Sequence, residues 1–226
     1  STRDMGGLLG LEVCNRLLPR RNWFIKRTLD ILLGVPMAVV ALPIIGVLAL
    51  WVRIVSPGAS AFYRQQRVGF GGKLITVCKL RTMVPDADDQ LKQHVESCPV
   101  AQAEWQKYAK LREDPRIIPG VGHFLRRTSL DELPQLFNVI RGEMTIVGPR
   151  PFTPYHLSLF DTSFRAVRRT VVPGLTGLWQ VYERNTGGIE SQQRLDTYYI
   201  RNWSIWLDLH LLTRTAWVVI RGKGAY

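Results

Sequence analysis

The chain has few thiols, few imidazoles and a deficit of acids. Its 226 residues contain three cysteines, Cys14, Cys78 and Cys98, far apart and without a C-x-x-C pair. An odd, scattered set excludes a disulfide framework and points to reduced thiols facing a cytosol. The four histidines (His94, His123, His156, His210) lack zinc-ligand spacing, so isolated structural roles suit them better. No G-x-G-x-x-G opens a helix, which removes the dinucleotide fingerprint. There is no internal repeat and no low-complexity tract. Ser1 does not begin a signal peptide, since a basic start, short apolar core and small-residue cleavage site are missing. Residues 7–13 read instead as the tail of an earlier segment, so the expectation is the C-terminal part of a longer protein.

Acids are outnumbered: 18 Asp plus Glu against 30 Lys plus Arg, a formal net charge of +12. Such a surplus calls for a polyanionic partner, whether nucleic acid, an anionic membrane surface or a phosphorylated substrate. The length allows one large domain or two small ones, with a real core.

What the chain does have is one long apolar run. From Ile31 to Val52 there are 22 uncharged residues, bounded by Asp30 and Arg53. As a straight helix they extend roughly 33 Å, the thickness of a bilayer's hydrocarbon core. A buried helix that long with no polar face does not suit a domain of this size. Pro36 and Pro43 interrupt the run, and an interior proline removes a backbone hydrogen bond and bends a helix. Both flanks are basic, with Arg20, Arg21, Lys26 and Arg27 before and Arg53, Arg64 and Arg67 after. The positive-inside tendency then places both ends in the cytoplasm. A re-entrant helix kinked near Pro43 satisfies both flanks; a straight signal anchor is the alternative.

Residues 61–68 and 73–80 alternate as two short strands around Gly69-x-Gly71-Gly72, a hairpin signal. The second strand exits through Lys79-Leu-Arg81, two cations whose plain reading is a solvated edge. Asp86 to Arg112 is polar, helix-favouring and broken at Pro99, a helical insertion without evident chemistry. Pro149 and Pro151 hold Arg150 in a nearly fixed extended backbone, well suited to forked phosphate binding. An exposed arginine in a Pro-rich turn is the alternative there. The segment from Val172 through Trp179-Gln180 has the small and turn residues of a loop lining a site, and Arg184-Asn185 follows. A last helix over residues 204–220 carries Ile205, Leu209, Leu212, Ala216 and Val219 on one predicted face, with Trp203, Trp206 and Trp217 nearby. Those tryptophans fit a membrane interface or a core.

The most distinctive stretch is Thr128-Ser-Leu-Asp131-Glu132-Leu-Pro134-Gln-Leu-Phe-Asn138. It sets two adjacent carboxylates at the start of a predicted helix with an apolar stripe Leu133, Leu136, Phe137 and Ile140. Arg126-Arg127 precedes it, and Gly142 stands where a left-handed residue should close it. Ser129-x-x-Glu132 also reads as a capping box, in which Glu132 only satisfies a backbone N–H. Acids framed by fixed cations read equally as phosphate chemistry.

These elements together resemble the bacterial sugar transferases, the monotopic phosphoglycosyl transferases that act as polyprenyl-phosphate hexose-1-phosphate transferases. The resemblance covers Trp23 to Tyr226. It runs in order through Lys26-Arg-Thr-x-Asp30, the proline-broken helix, Gln66-Arg67-Val-Gly69, Lys79-Leu-Arg81-Thr-Met83, Ser129 to Asn138, Val147-Gly-Pro-Arg-Pro151, Pro173-Gly-x-Thr-Gly177, Trp179-Gln180, Arg184-Asn185 and Asp196-x-x-Tyr199-x-x-Asn202. The Ala103-Glu-Trp105 insertion and the ending at residues 224–226 are most like the undecaprenyl-phosphate galactose phosphotransferase branch. The implied fold class is α+β, mainly helical: a re-entrant membrane helix, a short β-hairpin and a cytosolic, interface-associated catalytic domain. The implied domains are a tail at residues 1–22, the re-entrant helix with its flanks at 23–58, and the catalytic domain at 59–226 with its helical insertion at about 86–112.

The resemblance implies transfer of hexose-1-phosphate from a UDP-sugar to undecaprenyl phosphate with release of UMP, at the bacterial inner membrane and facing the cytosol. That reaction begins O-antigen, capsule or exopolysaccharide assembly. Asp131 takes the family's nucleophile position, and Glu132, with Asp131, the Mg²⁺ position. Lys79, Arg81, Arg126, Arg150, Gln180 and Arg184 take the substrate and phosphate positions, and Pro43 that of the membrane kink. Membrane lipids are implied partners and nucleic acid is not, with a homodimer left open. Two departures stand out. Leu42 replaces a serine before the kink proline, and Tyr182-Glu183 replaces a small pair before the loop arginine, which leaves the sugar preference open. The alternative from another class is a membrane-tethered, basic nucleic-acid-binding or scaffold protein without catalysis.

Overall fold

The computed structural model describes residues 2–4, 9–11, 17, 19–108, 111, 114–183 and 188–221. Arg184, Asn185 and the ending at 224–226 lie outside the described residues. Strands β1 (Thr2–Asp4) and β2 (Leu9–Leu11) pair antiparallel ahead of helix α1 (Arg20–Val55). The backbone of α1 is helical through both Pro36 and Pro43 over 36 residues, roughly 54 Å at 1.5 Å per residue. Its buried positions, Lys26, Asp30, Gly34, Ala38, Ala41, Ile45, Leu48 and Val52, recur every three or four residues as one narrow stripe. Elsewhere large apolar side chains face outward, Val47 and Ile54 each at 68% exposure. Only 28% of its most apolar stretch is buried. By length and composition the helix is able to cross a membrane.

The hairpin forms as the sequence predicts, from β3 (Phe62–Val68) and β4 (Leu74–Leu80). Gly71 and Gly72 turn the chain at φ 66° and 80°, values a side chain would resist. Helices α2 (Ala87–Ser97) and α3 (Pro99–Tyr108) form the insertion, separated at Cys98 before the proline. Then come α4 (Val121–Thr128), α5 (Leu136–Arg141), β5 (Thr145–Val147), α6 (Pro154–Ser158), α7 (Thr162–Arg169), β6 (Gly174–Thr176), α8 (Leu178–Tyr182), α9 (Ile189–Asn202) and α10 (Ile205–Arg221).

The chain falls into two compact units. The first comprises Ser1–Ala38, Gln65–Val77 and Gln135–Val218. Its core gathers Val77, Val139, Met144, Ile146, Val147, Leu178, Tyr199, Ile200, Trp203 and Leu211. The start of α1 docks there through polar groups. Lys26 Nζ pairs with Asp208 Oδ2 at 2.6 Å and donates to Tyr199 Oη at 3.0 Å, while Trp203 Nε1 donates to the same Asp208 oxygen. Arg27 caps the end of α5 by donating to the carbonyls of Val139 and Ile140. Asp30 Oδ1 accepts from the Thr145 hydroxyl and the Ile146 amide, fastening β5 to the helix. Buried charges of this kind are tolerated because each is paired and hydrogen-bonded.

Strands β5 and β6 run parallel, Thr145 opposite Gly174 and Val147 opposite Thr176. A Cβ on Gly174 would meet Gly148 N at 2.1 Å, and one on Gly177 would meet Gly148 O at 2.2 Å. Glycine is required there by contact between backbones, and this contact brings the Val147–Pro151 and Pro173–Gly177 motifs side by side.

The second unit comprises Val39–Arg64, Cys78–Pro134 and Val219–Tyr226. Ala41, Ile45, Leu48 and Val52 of α1 are buried in it, and Trp51 meets the Phe124 ring of α4 at 5.6 Å between centroids. Arg53 donates to the Ala59 carbonyl and Arg81 to that of Ser56, so two guanidinium groups close the turn that ends α1.

Two local expectations are corrected. Ser129 does not open a capped α-helix: it closes α4 in the left-handed region at φ 56°, and Leu130–Gln135 is a 3₁₀ turn. Pro134 lies in that turn and has no N–H for a longer ladder. The buried side of α5 is Leu136, Asn138 and Val139, with Phe137 38% exposed, because the α-helical phase begins only at Leu136. The apolar face predicted for α10, left open between interface and core, is not a core face: Leu209, Ala216 and Val219 are exposed, and the buried side runs through Asp208 and Leu211. The buried Asp208, drawn inward by Lys26, sets that phase. Trp203 is core, whereas Trp206 and Trp217 face outward.

Candidate active site

The acidic pair is built from the end of α4 and the turn behind it. Gly120 enters α4 at φ 70°, and a Cβ on Gly122 would meet the Thr82 carbonyl at 2.6 Å. This close approach ties α4 to the segment leaving β4, which itself pairs with residues 116–118. Val84 N donates to Arg116 O, and Ile118 N to Thr82 O. Leaving α4, the chain reverses at Ser129 and presents Asp131 and Glu132 from the first turn of the 3₁₀ segment.

Four of the predicted site residues meet here in the second unit. Lys79 Nζ pairs with Glu132 Oε1 at 2.8 Å. Arg126 donates through Nε to the Thr82 hydroxyl at 3.0 Å. Burial pulls the Arg126 pKa below its usual value, opposed by the nearby carboxylates of Asp114 and Asp131. Asp114 is itself held by Arg116 through two bonds of 2.7 Å, and its carboxyl is depressed: bonds and charge from Arg116 outweigh burial, the largest single influence. A chain of alternating charge thus runs Arg116, Asp114, Arg126, Asp131. Glu132 is 9% exposed, whereas Asp131 is only half-buried. Arg81 serves the α1 terminus instead, with Nε and Nη1 buried and without a hydrogen-bond partner.

Arg150 and Gln180 belong to the first unit. Arg150 is half-buried between buried Pro149 and Pro151. Gln180 opens toward the β6 turn, its Nε2 donating to Leu175 O at 3.3 Å while its Oε1 is buried without a partner. The supporting Thr82, Asp114 and Arg116 escaped the sequence reading. The Asp114-Pro115-Arg116 run is visible there, but a role follows only once the turn lies against Thr82.

Asp131 and Glu132 supply hard oxygen donors of the kind that bind Mg²⁺, which characteristically takes one or two carboxylates and fills its shell with water and substrate phosphate. Among the described residues no group of three or more His, Cys, Asp and Glu side chains gathers as a protein-only cage. The donor set therefore fits an ion shared with a phosphorylated substrate.

The chain thus sets carboxylates against fixed cations and carries a long helix that exposes apolar surface. The profile of the bacterial sugar transferases matches residues 21–222, and the chain belongs to that family. It is 42% identical over 218 residues to an undecaprenyl-phosphate galactose phosphotransferase of Salmonella typhimurium, covering 96% of this chain and 44% of the relative. It is 41% identical to the exopolysaccharide production protein ExoY of Sinorhizobium fredii, covering 89% and 88%. With the UDP-glucose:undecaprenyl-phosphate glucose-1-phosphate transferase of Escherichia coli it shares 35%, covering 99% and 46%. The chain thus spans about half the length of the first and third of these relatives.

Proposed function

We propose that the chain transfers hexose-1-phosphate from a UDP-sugar, UDP-galactose or UDP-glucose, to undecaprenyl phosphate. Asp131 attacks the β-phosphorus, the bond to the bridging oxygen breaks, and UMP leaves with the electron pair. The sugar phosphate is then carried as an acyl phosphate on Asp131. A phosphate oxygen of the lipid attacks the same phosphorus, releases the carboxylate and forms the diphosphate-linked lipid sugar. The covalent intermediate divides one difficult encounter of anions into two steps. Relatives are named for undecaprenyl phosphate and for a UDP-sugar, which supports these substrate classes.

The observation that carries this reading is the setting of the acidic pair. Lys79 engages Glu132 and Arg126 stands beside the half-buried Asp131, which supports Asp131 as the nucleophile and Glu132 as the carboxylate for the ion. Mg²⁺ held there would neutralise charge on the transferring phosphate. Lys79 and Arg126 add fixed positive charge where negative charge develops. Arg150, Arg184 and Gln180 are proposed to bind the substrate. The 3₁₀ turn is too short to lend the dipole of a full helix, so side-chain cations carry the electrostatic work.

The apolar surface of α1 is proposed to enter the cytoplasmic leaflet of the bacterial inner membrane as a re-entrant helix bent near Pro43, with the acidic pair facing the cytosol. One substrate is dissolved in water and the other confined to the leaflet, so a site at the boundary meets both. The product begins an exopolysaccharide, capsule or O-antigen chain. Trapping the adduct tests the chemistry: incubation with a UDP-sugar and no lipid acceptor should add a hexose phosphate to the peptide holding Asp131, read by mass spectrometry. An adduct on any other residue overturns the assignment.

A further inference from the structure

Four consecutive carbonyls around Arg150 are each taken by a donor from another part of the first unit. Pro149 O accepts from the Gly174 amide at 2.8 Å, and Phe152 O from the Val68 amide at 2.8 Å. Between them, Pro151 O accepts from Arg67 Nη1 at 3.2 Å, and Arg150 O accepts from Arg168 Nη2. Two arginines of a phosphate-handling chain are thus directed at backbone. Arg168 is the more unusual, being 7% exposed. Its guanidinium lies 4.5 Å from the centre of the Phe152 ring, and its Nε is 3.8 Å from Asp196 Oδ2 on α9. Asp196 is 1% exposed, and that oxygen has no hydrogen-bond partner. Sequestering a guanidinium and a carboxylate costs more than their attraction returns unless the geometry serves another purpose. Burial accordingly lowers the Arg168 pKa.

A purpose is on hand. Pro149 and Pro151 restrict the Arg150 backbone to an extended form but leave its peptide planes able to tilt. A donor on the Arg150 carbonyl removes that freedom. We propose that Arg168, backed by Asp196 and Phe152, is a positioning residue that fixes the Arg150 peptide and so aims the Arg150 guanidinium at a substrate phosphate. The proposal rests on the reading of Arg150 as a phosphate ligand. An error of about 1 Å in aim is enough for a hundredfold loss of rate.

A double-mutant cycle in the full protein, in lipid nanodiscs, tests it. Arg168→Lys keeps the charge over Phe152 but loses the fork that reaches the Arg150 carbonyl. It should lower kcat/KM for UMP release by about ten- to a hundredfold and weaken UDP affinity, with the melting temperature little changed. In the Arg150→Ala background the same substitution should cost less than about twofold in either readout, because coupled residues do not add. Equal losses in both backgrounds, no loss from Arg168→Lys alone, or no effect of Arg150→Ala each overturn the proposal. Should the lysine variant fail to fold, Asp196→Asn closes the same cycle without touching Arg150. Failure of the catalytic reading is separate: turnover surviving Asp131→Asn would remove the nucleophile, yet leave the coupling in UDP affinity to be read.

Discussion

The turn carrying Asp131 and Glu132 and the loop carrying Arg150 are built on opposite principles. The turn is held by side chains, Lys79 on Glu132 and Arg126 beside Asp131, and reverses at a serine in the left-handed region. The loop is held through its main chain, the four successive carbonyls from Pro149 to Phe152 being engaged by two backbone amides and two arginine side chains. Asp131, as the proposed nucleophile, must change its bonding during turnover, so contacts that can exchange suit it. Arg150, as a proposed phosphate ligand, has only to stay aimed, and a pinned backbone suits that. The expected consequence is that changes at the turn alter turnover with little change in stability, whereas loss of the buried carboxylate beneath the loop alters both.

The largest test of that contrast is Asp131→Asn. It should reduce UMP release at least a thousandfold, about 4 kcal/mol in the barrier, with melting temperature and membrane association unchanged. Loss of fold in that variant would break the comparison. Next is the support beneath the loop. Burial raises the Asp196 carboxyl to about 6, against the partial relief given by Arg168. A raised acid favours the protonated fold, so its contribution to stability is fullest below the unfolded value near pH 4. It is lost as pH rises through about 6, by on the order of 3 kcal/mol. The stability advantage of the parent over Asp196→Asn should therefore shrink between pH 4 and pH 7, as followed by chemical denaturation. An advantage that grows with pH would reverse the assignment. The smallest effect belongs to Ser129→Gly, which relieves the left-handed strain and should stabilise by about 1 kcal/mol or less. A marked loss of stability there would show that the Ser129 side chain, rather than its backbone geometry, holds the turn.

Much of this architecture was legible in the residues themselves. The apolar run, the hairpin around Gly71-Gly72, the break at Pro99 and the left-handed Gly142 follow from local rules, because each depends on a period or on one residue's allowed backbone angles. The pairing of Lys79 with Glu132 did not, since their separation of 53 positions is closed only by packing α4 against Thr82. The apolar stripe over Leu133–Ile140 misled because the α-helical period was applied across a turn that is 3₁₀ until Gln135. On α10 the residues left the apolar face open between interface and core, and only the pairing of Asp208 with Lys26 shows which side turns inward.

By itself, then, the sequence determined which residue types are available and where the backbone can bend: adjacent carboxylates, an arginine between prolines, glycines at Gly148 and Gly174, and a helix with no polar face. These are local properties of composition and φ/ψ preference. Only the tertiary structure decided which guanidinium groups bond to backbone. Arg81 and Arg168 have the same guanidinium as Arg126 and Arg150, yet they bond the carbonyls of Ser56 and Arg150. That choice depends on what lies within 3 Å of each donor, a distance set by packing between segments far apart in the chain.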